Sequence, residues 1–376
     1  MLRKYPKIFQ DPHISYPIYD FNLNFSDYIK QSEKIIADTR QDLNQHPELI
    51  IQNNAPFELK PDDPHPKYGA LLIHGLLDSP FIMRDVGHYL QSQGLLVRAI
   101  MLPGHSTVPG ALLNTTYAEW LQAVHYGVAT LKQDVEKIFL VGFSTGGSLA
   151  VHHALQNHNI AGLILLAPAF KINSPVTFLS KWIRVLNGWE RARWFYISEE
   201  FDPVKYQSVP FNAIYQVYQL GKEIQKTGLE KLSLPLWMSL SYEDKLVCAR
   251  SSIKYFKRTT HPLNRAIIYS DKSLKFSDPR ILMRNSCYPD LNILNFCHIT
   301  LPVSPDNPHY GKDGDYLLAS HLEKNIKYGA FDKRDIIVNN TLRRWGLTSL
   351  QYQRLTLNPD FEFMKNQMGD FLNQLK

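Results

Sequence analysis

Cysteine is scarce in this sequence. Cys248, Cys287 and Cys297 are the only three, odd in number and without metal-ligand spacing, a pattern that argues against a disulfide framework and fits free thiols in a reducing compartment. No stretch approaches the roughly 20 consecutive apolar residues of a membrane span. Positive charge at Met1–Pro6 is followed by no apolar run, so no signal peptide is expected. The formal net charge is +6, but the basic residues are scattered among acidic ones and do not cluster with aromatics, which argues against nucleic acid as a partner. Internal repeats and low-complexity linkers are also missing. These absences leave an expectation of a cytoplasmic globular chain with a slightly basic surface. Its 376 residues suit one large α/β domain with insertions or two small domains.

What is present is a run of strand and helix patterns in alternation. Met1 to about Leu23 is rich in Pro, Tyr and Phe and reads as an extended arm. Ser26 is placed to cap a helix reaching Leu43, and Glu48–Leu59 reads as an early hairpin broken at Asn53-Asn54. Regular alternation begins at Tyr68. Strand runs at Gly69–Ile73, Leu95–Ile100, Lys137–Gly142 and Ala161–Ala167 are separated by helical patterns at Phe81–Gln91, Tyr117–Lys132 and Ser148–His158. Such alternation predicts a mostly parallel, doubly wound α/β sheet. Between Lys171 and Leu232 it stops, giving way to aromatic-rich helical stretches (Trp182, Trp189, Trp194, Phe195, Tyr215, Tyr218) without a strand run. An insertion there reads as a helical lid over the strands' carboxyl ends, where open α/β sheets bind ligands. Strand patterns resume at Leu234–Leu240 and Arg265–Tyr269, with Leu291–Phe296 expected as another and Asp271–Pro289 as an insertion before it. A final amphipathic helix is expected around Pro359–Leu375. The expected division is therefore 1–66 as arm, helix and early strands, 67–171 and 233–311 as core, 172–232 as lid, and 312–376 as a helical extension.

One strand run ends in Gly142-Phe143-Ser144-Thr145-Gly146 and passes at once into a helix. Gly-x-Ser-x-Gly between strand and helix is the pattern of a nucleophile elbow, in which a sharp turn lifts the serine hydroxyl above the sheet. A serine hydroxyl is a weak nucleophile unless a base, usually His, stands beside it and is held by a carboxylate. In such an arrangement the acid and then the histidine follow in chain order. The strand after the elbow ends in Ala167-Pro168-Ala169 and carries no carboxylate. The strand after that ends in Glu243-Asp244, leaving both open as the acid. Downstream stand His261, His298, His309 and His321. His261 precedes its strand, whereas His298 follows an apolar run and His309 sits in a turn. Cys297 beside His298 lacks any activating neighbour, and His74, His105, His152, His153 and Asp78 read as structural or surface residues.

Three segments together carry a resemblance: His74-Gly75 after the first core strand, Leu102-Pro103-Gly104-His105 after the next, and the Ser144 elbow. With Asp244-Lys245-Leu246-Val247 as an acid-x-x-Val turn, the chain resembles the α/β-hydrolase family, and within it the bacterial carboxylesterase and monoacylglycerol-lipase-like branch. The likeness runs from about Tyr68 to Pro168 and again from Leu234 to Gly311. It implies an α/β-hydrolase fold with a helical lid and a triad of Ser144, Asp244 and His298. It also implies an oxyanion hole formed by the backbone N–H groups of Leu76 and Thr145. The activity implied is cofactor- and metal-free hydrolysis of carboxylic esters, among them lipid esters such as monoacylglycerols or lysophospholipids, with transient contact to a membrane surface compatible with that chemistry. The same residues would serve acyl transfer to an alcohol. A reading from another class, an idle fold used as an interaction module, is disfavoured by the presence of all three triad side chains.

Overall fold

The apolar runs of the core become strands whose residues are buried almost without interruption: β2 (Tyr68–Ile73), β3 (Leu96–Ile100), β4 (Lys137–Phe143), β5 (Gly162–Leu166) and β8 (Leu236–Ser241). Strands that hide both faces must be covered by helices on both faces. The computed structural model describes residues 6–43, 46–157, 159–173, 190–316, 326–331, 333–345 and 347–376. With β1 (Phe57–Leu59), β9 (Arg265–Ser270) and β10 (Ile281–Asn285), these strands form one eight-stranded sheet of order β1-β3-β2-β4-β5-β8-β9-β10. Only β1 runs antiparallel to its neighbour. No helix among the described residues is long and apolar enough to cross a membrane.

The two helical layers can be read from adjacent residues of β2, whose side chains point to opposite faces. A Cβ on Gly87, in α3 (Arg84–Ser92), would meet Leu72, while one on Gly127, in α4 (Tyr117–Leu131), would meet Leu71. These helices therefore cover opposite faces. Helix α5 (Thr145–Gln156) packs on β4 and beside α4, and α6 (Phe211–Thr227) packs against α5. Helix α7 (Ala249–Phe256) follows β8. From β2 the chain first crosses to β3 on one side and then returns to β4 on the other. That reversal puts the topological switch point, and hence the ligand crevice, at the carboxyl ends of β2 and β4.

Several local expectations are corrected. Helix α1 is Phe25–Thr39, capped by Asn24 rather than Ser26, because the extended Asn24 side chain reaches the Asp27 N–H at 2.9 Å. The hairpin expected at Glu48–Leu59 is instead α2 (Pro47–Asn54) followed by β1. Pro47 is preorganised for the first helical position, and a short apolar run such as Leu49–Ile51 cannot by itself separate helix from strand. Leu291–Phe296 is not a strand: Asn292 adopts left-handed backbone (φ 56°), and Tyr288 and Ile293 close a tight loop. The edge position is filled by β10, from the stretch expected to be an insertion. Within the expected lid, residues 174–189, including Trp182 and Trp189, lie outside the described residues. Its remainder holds a two-stranded ladder of β6 (Trp194–Tyr196) and β7 (Val209–Pro210) as well as α6.

Segments before β1 and after β10 also pack on the core. The Tyr16 hydroxyl accepts from Gly104 N–H at 2.9 Å, and the Tyr28 hydroxyl bonds to the Met101 backbone. The C-terminal part holds β11 (Ile326–Gly329) paired in parallel with β12 (Gln351–Arg354), then α8 (Lys333–Arg344) between them in sequence and α9 (Phe361–Asn373), which packs on β8.

Candidate active site

Ser144 sits where β4 turns into α5, with φ 55° and ψ −116°, a conformation that non-glycine residues rarely hold. Tight packing on both sides enforces it. A Cβ on Gly146 would lie 2.0 Å from the Ile73 carbonyl oxygen, and one on Gly142 would lie 2.4 Å from the Gly146 oxygen. Hydrogen bonds from Ser144 N–H to Leu166 O (2.9 Å) and from Ala169 N–H to Ser144 O (3.0 Å) fix the turn to the end of β5. The serine is nearly buried, at 8% exposure.

Asp244 follows β8 and is held as a hydrogen-bond acceptor. Its Oδ1 accepts from the backbone N–H groups of Leu246 (2.7 Å) and Val247 (3.0 Å), and its Oδ2 accepts from His298 Nδ1–H at 2.6 Å. The Asp244 side chain is 1% exposed and that of His298 11%. The alternative acid, Glu243, faces away: its Oε1 accepts from the Ser270 hydroxyl at 2.6 Å. Burial first, and the nearby Asp271 carboxylate, push Glu243 up to about 7, against the Ser270 hydrogen bond.

His298 opens a short 3-10 turn and does not stand at a strand end. It is delivered by Phe296, which is fully buried against Tyr269 and whose carbonyl accepts from the Ser241 hydroxyl at 2.6 Å. The His298 ring then lies against Phe143, the residue before Ser144, with centroids 5.0 Å apart. Asp244 and His298 are thus joined directly. Ser144 Oγ makes no hydrogen bond to the His298 ring among the described residues. Catalytic hydrogen bonds of this kind often form only when substrate is bound.

The other histidines are committed elsewhere. His309 has both ring nitrogens occupied, Nδ1 by Asp315 and Nε2 by Asp202 at 3.2 Å. Burial alone would lower its proton affinity, but the hydrogen bonds and charge of Asp202, then of Asp315, raise it above the usual histidine range. His261 accepts from Leu263 N–H at the start of β9, at the opposite end of the sheet. His321 lies outside the described residues. His74 is held neutral, well below the usual range, by burial and by neighbouring His105, and it joins the Gly75 carbonyl to the Leu102 N–H. Cys297 is buried with its thiol donating to the Leu355 carbonyl at 2.7 Å, and burial raises its pKa.

Thr145 directly follows Ser144, and Gly75, the residue before Leu76, lies so close that a Cβ on it would be 3.1 Å from the Ser144 Cβ. Thr145 is the first residue of α5, so its N–H has no partner one turn back. The loop carrying Leu76 bends at Leu77, φ 69°. Asp78, read from sequence as a structural or surface residue, is buried: its side chain is 4% exposed and pairs with Lys205. Tyr206 N–H donates to the Leu77 carbonyl at 2.9 Å. The segment 202–206 therefore clamps the loop that carries Leu76, and Asp202 ties that segment to Tyr310 and His309. Pattern reading had no signal for Lys205, Ser241 or Leu355, because each acts through a contact distant in sequence.

Residues 64–197 match the sequence family described as serine aminopeptidase, S33. The thermostable monoacylglycerol lipase of Bacillus sp. (strain H-257) is 26% identical over 185 residues, 48% of this chain and 71% of that protein. A carboxylesterase of Bacillus subtilis (strain 168) is 23% identical over 203 residues, 52% of this chain and 78% of that one. Among solved structures, the monoacylglycerol lipase of Paleococcus ferrophilus aligns with a TM-score of 0.47 at 19% identity, over 63% of this chain and 91% of that one.

Three measurements test this geometry. Gly146→Ala must displace the Ile73 carbonyl and is expected to cost at least about 3 kcal/mol of stability, read from urea unfolding. Lys205→Met leaves the buried Asp78 carboxylate without its partner and is expected to cost about 3–5 kcal/mol; a variant as stable as wild type would show that the pair contributes little. Glu243 has a raised folded pKa, so its contribution is full below about 4.5 and is lost as pH rises toward 7. The stability of Glu243→Gln relative to wild type should therefore improve between pH 4.5 and 7.5. A difference that stays constant over that range would contradict the assigned burial of the carboxyl.

Proposed function

We propose that this chain, an α/β-hydrolase of the esterase and lipase branch, is a serine ester hydrolase that works through Ser144, His298 and Asp244 on lipid-like carboxylic esters. The observation that carries the reading is the Asp244–His298 pair, 2.6 Å apart and almost fully buried, set against the residue before a strained serine. In the reaction, Ser144 Oγ adds to the ester carbonyl and its proton passes to His298 Nε2. The tetrahedral oxyanion is received by the N–H groups of Leu76 and Thr145, which require no reorganisation as charge develops. Collapse breaks the bond to the alkoxide, which takes the proton from His298 and leaves as the alcohol. Water, deprotonated by His298, then attacks the acyl-serine. The carboxylic acid departs and the proton returns to Ser144. Asp244 holds the imidazole with Nδ1 protonated and stabilises the imidazolium throughout.

An apolar substrate is supported by the surroundings of the oxyanion loop. A cavity of about 420 Å³ opens beside Leu77, with Ile8, Phe9, Val108 and Tyr206 on its apolar side and Arg40, Glu199, Glu200 and Lys205 among its charged lining residues. On the nearby ladder and in the connection between its two strands, Phe195, Tyr196 and Phe201 are exposed. We assign the cavity to the apolar part of the ester, with monoacylglycerol or lysophospholipid as the class. The exposed aromatics suit brief contact with a lipid surface, and the lid is taken as 172–232. The three unpaired cysteines fit a reducing cytoplasm.

The test combines fluorophosphonate labelling with turnover of nitrophenyl esters of increasing chain length and of an aminoacyl nitroanilide. Ser144→Ala should lose labelling, and Asp244→Asn should lower kcat by about four orders of magnitude. His298→Gln should abolish turnover, while Glu243→Gln and His309→Gln should retain activity within several-fold. Labelling at another residue, or cleavage of the anilide in preference to every ester, would overturn the reading.

A further inference from the structure

A second cleft, whose lining does not include Ser144, lies between α6 and α7. Its volume is about 370 Å³. The floor is apolar, formed by the buried Phe170 and Val217 together with Ile172. Its rim carries Lys171, Lys222, Lys254 and Arg258, and no acidic residue lines it. The three lysines come from different elements: Lys171 from the segment after β5, Lys222 from α6 and Lys254 from α7. Arg258 is paired with Glu230 at 2.9 Å. None of the three lysines has a carboxylate within 4 Å among the described residues.

Exposed lysines on a protein surface are usually interspersed with acidic partners. Here three ammonium groups border one small cavity, where like charges repel. Their repulsion disfavours the empty cleft and favours an anionic occupant. Arg recognises planar carboxylates through a two-pronged fork, whereas Lys presents a compact point charge with rotatable donors. Three such charges arranged around a cavity suit a tetrahedral anion, whose acceptor oxygens point in different directions. The apolar floor suits the carbon portion attached to that anion.

We propose that the cleft between α6 and α7 binds a phosphate-bearing headgroup of glycerol-phosphate size, held by Lys171, Lys222 and Lys254 over the Phe170–Val217 floor. The site is independent of the esterase reading, since Ser144 is not part of its lining. It is nonetheless coupled to the acid turn by backbone. The Lys171 carbonyl accepts from Cys248 N–H at 2.8 Å, and Asn173 bonds through its side chain to the carbonyls of Asp244 (3.2 Å) and Val247 (2.9 Å).

Titration calorimetry at low salt with glycerol 3-phosphate, with glycerol as the neutral control, tests the proposal in parallel with sedimentation on vesicles. The vesicles are phosphatidylcholine alone or phosphatidylcholine mixed with phosphatidylglycerol. Glycerol 3-phosphate should bind and glycerol should not, and binding should weaken as salt is raised. Lys222→Gln/Lys254→Gln should lose at least about tenfold in affinity, as expected for loss of charge-assisted hydrogen bonds. Both lysines are exposed, so the variant should keep wild-type unfolding behaviour and basal ester turnover. Binding of free glycerol 3-phosphate supports a soluble phosphate ligand, and lysine-dependent binding only to the anionic vesicles supports a lipid headgroup. Binding of neither, or binding that the double variant leaves unchanged, overturns the proposal.

Discussion

The carbonyl oxygen of Ile73 stands where a side chain on residue 146 would have to be. That closeness of α5 to the end of β2 organises the site. It lets the helix start within reach of the β2 loop, where Gly75 lies against Ser144. It also forces Ser144 into its strained turn, since the chain must reverse from strand to helix within one residue. Backbone strain of this kind persists only when the surroundings over-determine it. Here they do, through hydrogen bonds to Leu166 and Ala169 on one side and the glycine contacts on the other.

Asp244 and His298 are held by a different principle. Their positions depend on contacts between segments far apart in sequence. Ser241 carries Phe296 to the end of β8, and the Leu355 carbonyl receives both the Cys297 thiol and the Thr300 hydroxyl beneath the His298 turn. The Thr356 hydroxyl donates to the Tyr310 carbonyl at 2.7 Å, and Asn358 N–H donates to Val303 O at 2.9 Å. The C-terminal extension is thus a brace for the loop that bears His298 and His309.

These two principles explain what could be read from the sequence and what could not. The parallel core was legible because strands buried on both faces need continuous apolar runs, and the elbow because a strained serine needs glycines at fixed offsets. Asp244 was legible through its turn, whose backbone N–H groups satisfy one carboxylate oxygen locally. Leu291–Phe296 reads as a strand in sequence, since its apolar residues serve burial, but Asn292 breaks the extended geometry. Asp78 looked like an ordinary loop residue. Its burial depends on Lys205, 127 residues away, and no local pattern encodes such a pairing.

The Lys205–Asp78 pair and the Tyr206–Leu77 hydrogen bond join the 202–206 segment to the loop that carries Leu76. The same segment contributes wall residues to the cavity beside Leu77. On the proposed reading, substrate fit and carbonyl polarisation share a mechanical part. Replacing this segment with that of a relative, in order to change which esters are accepted, would release the loop from its anchor at the same time. An engineer could graft the segment only together with a matching residue at position 78.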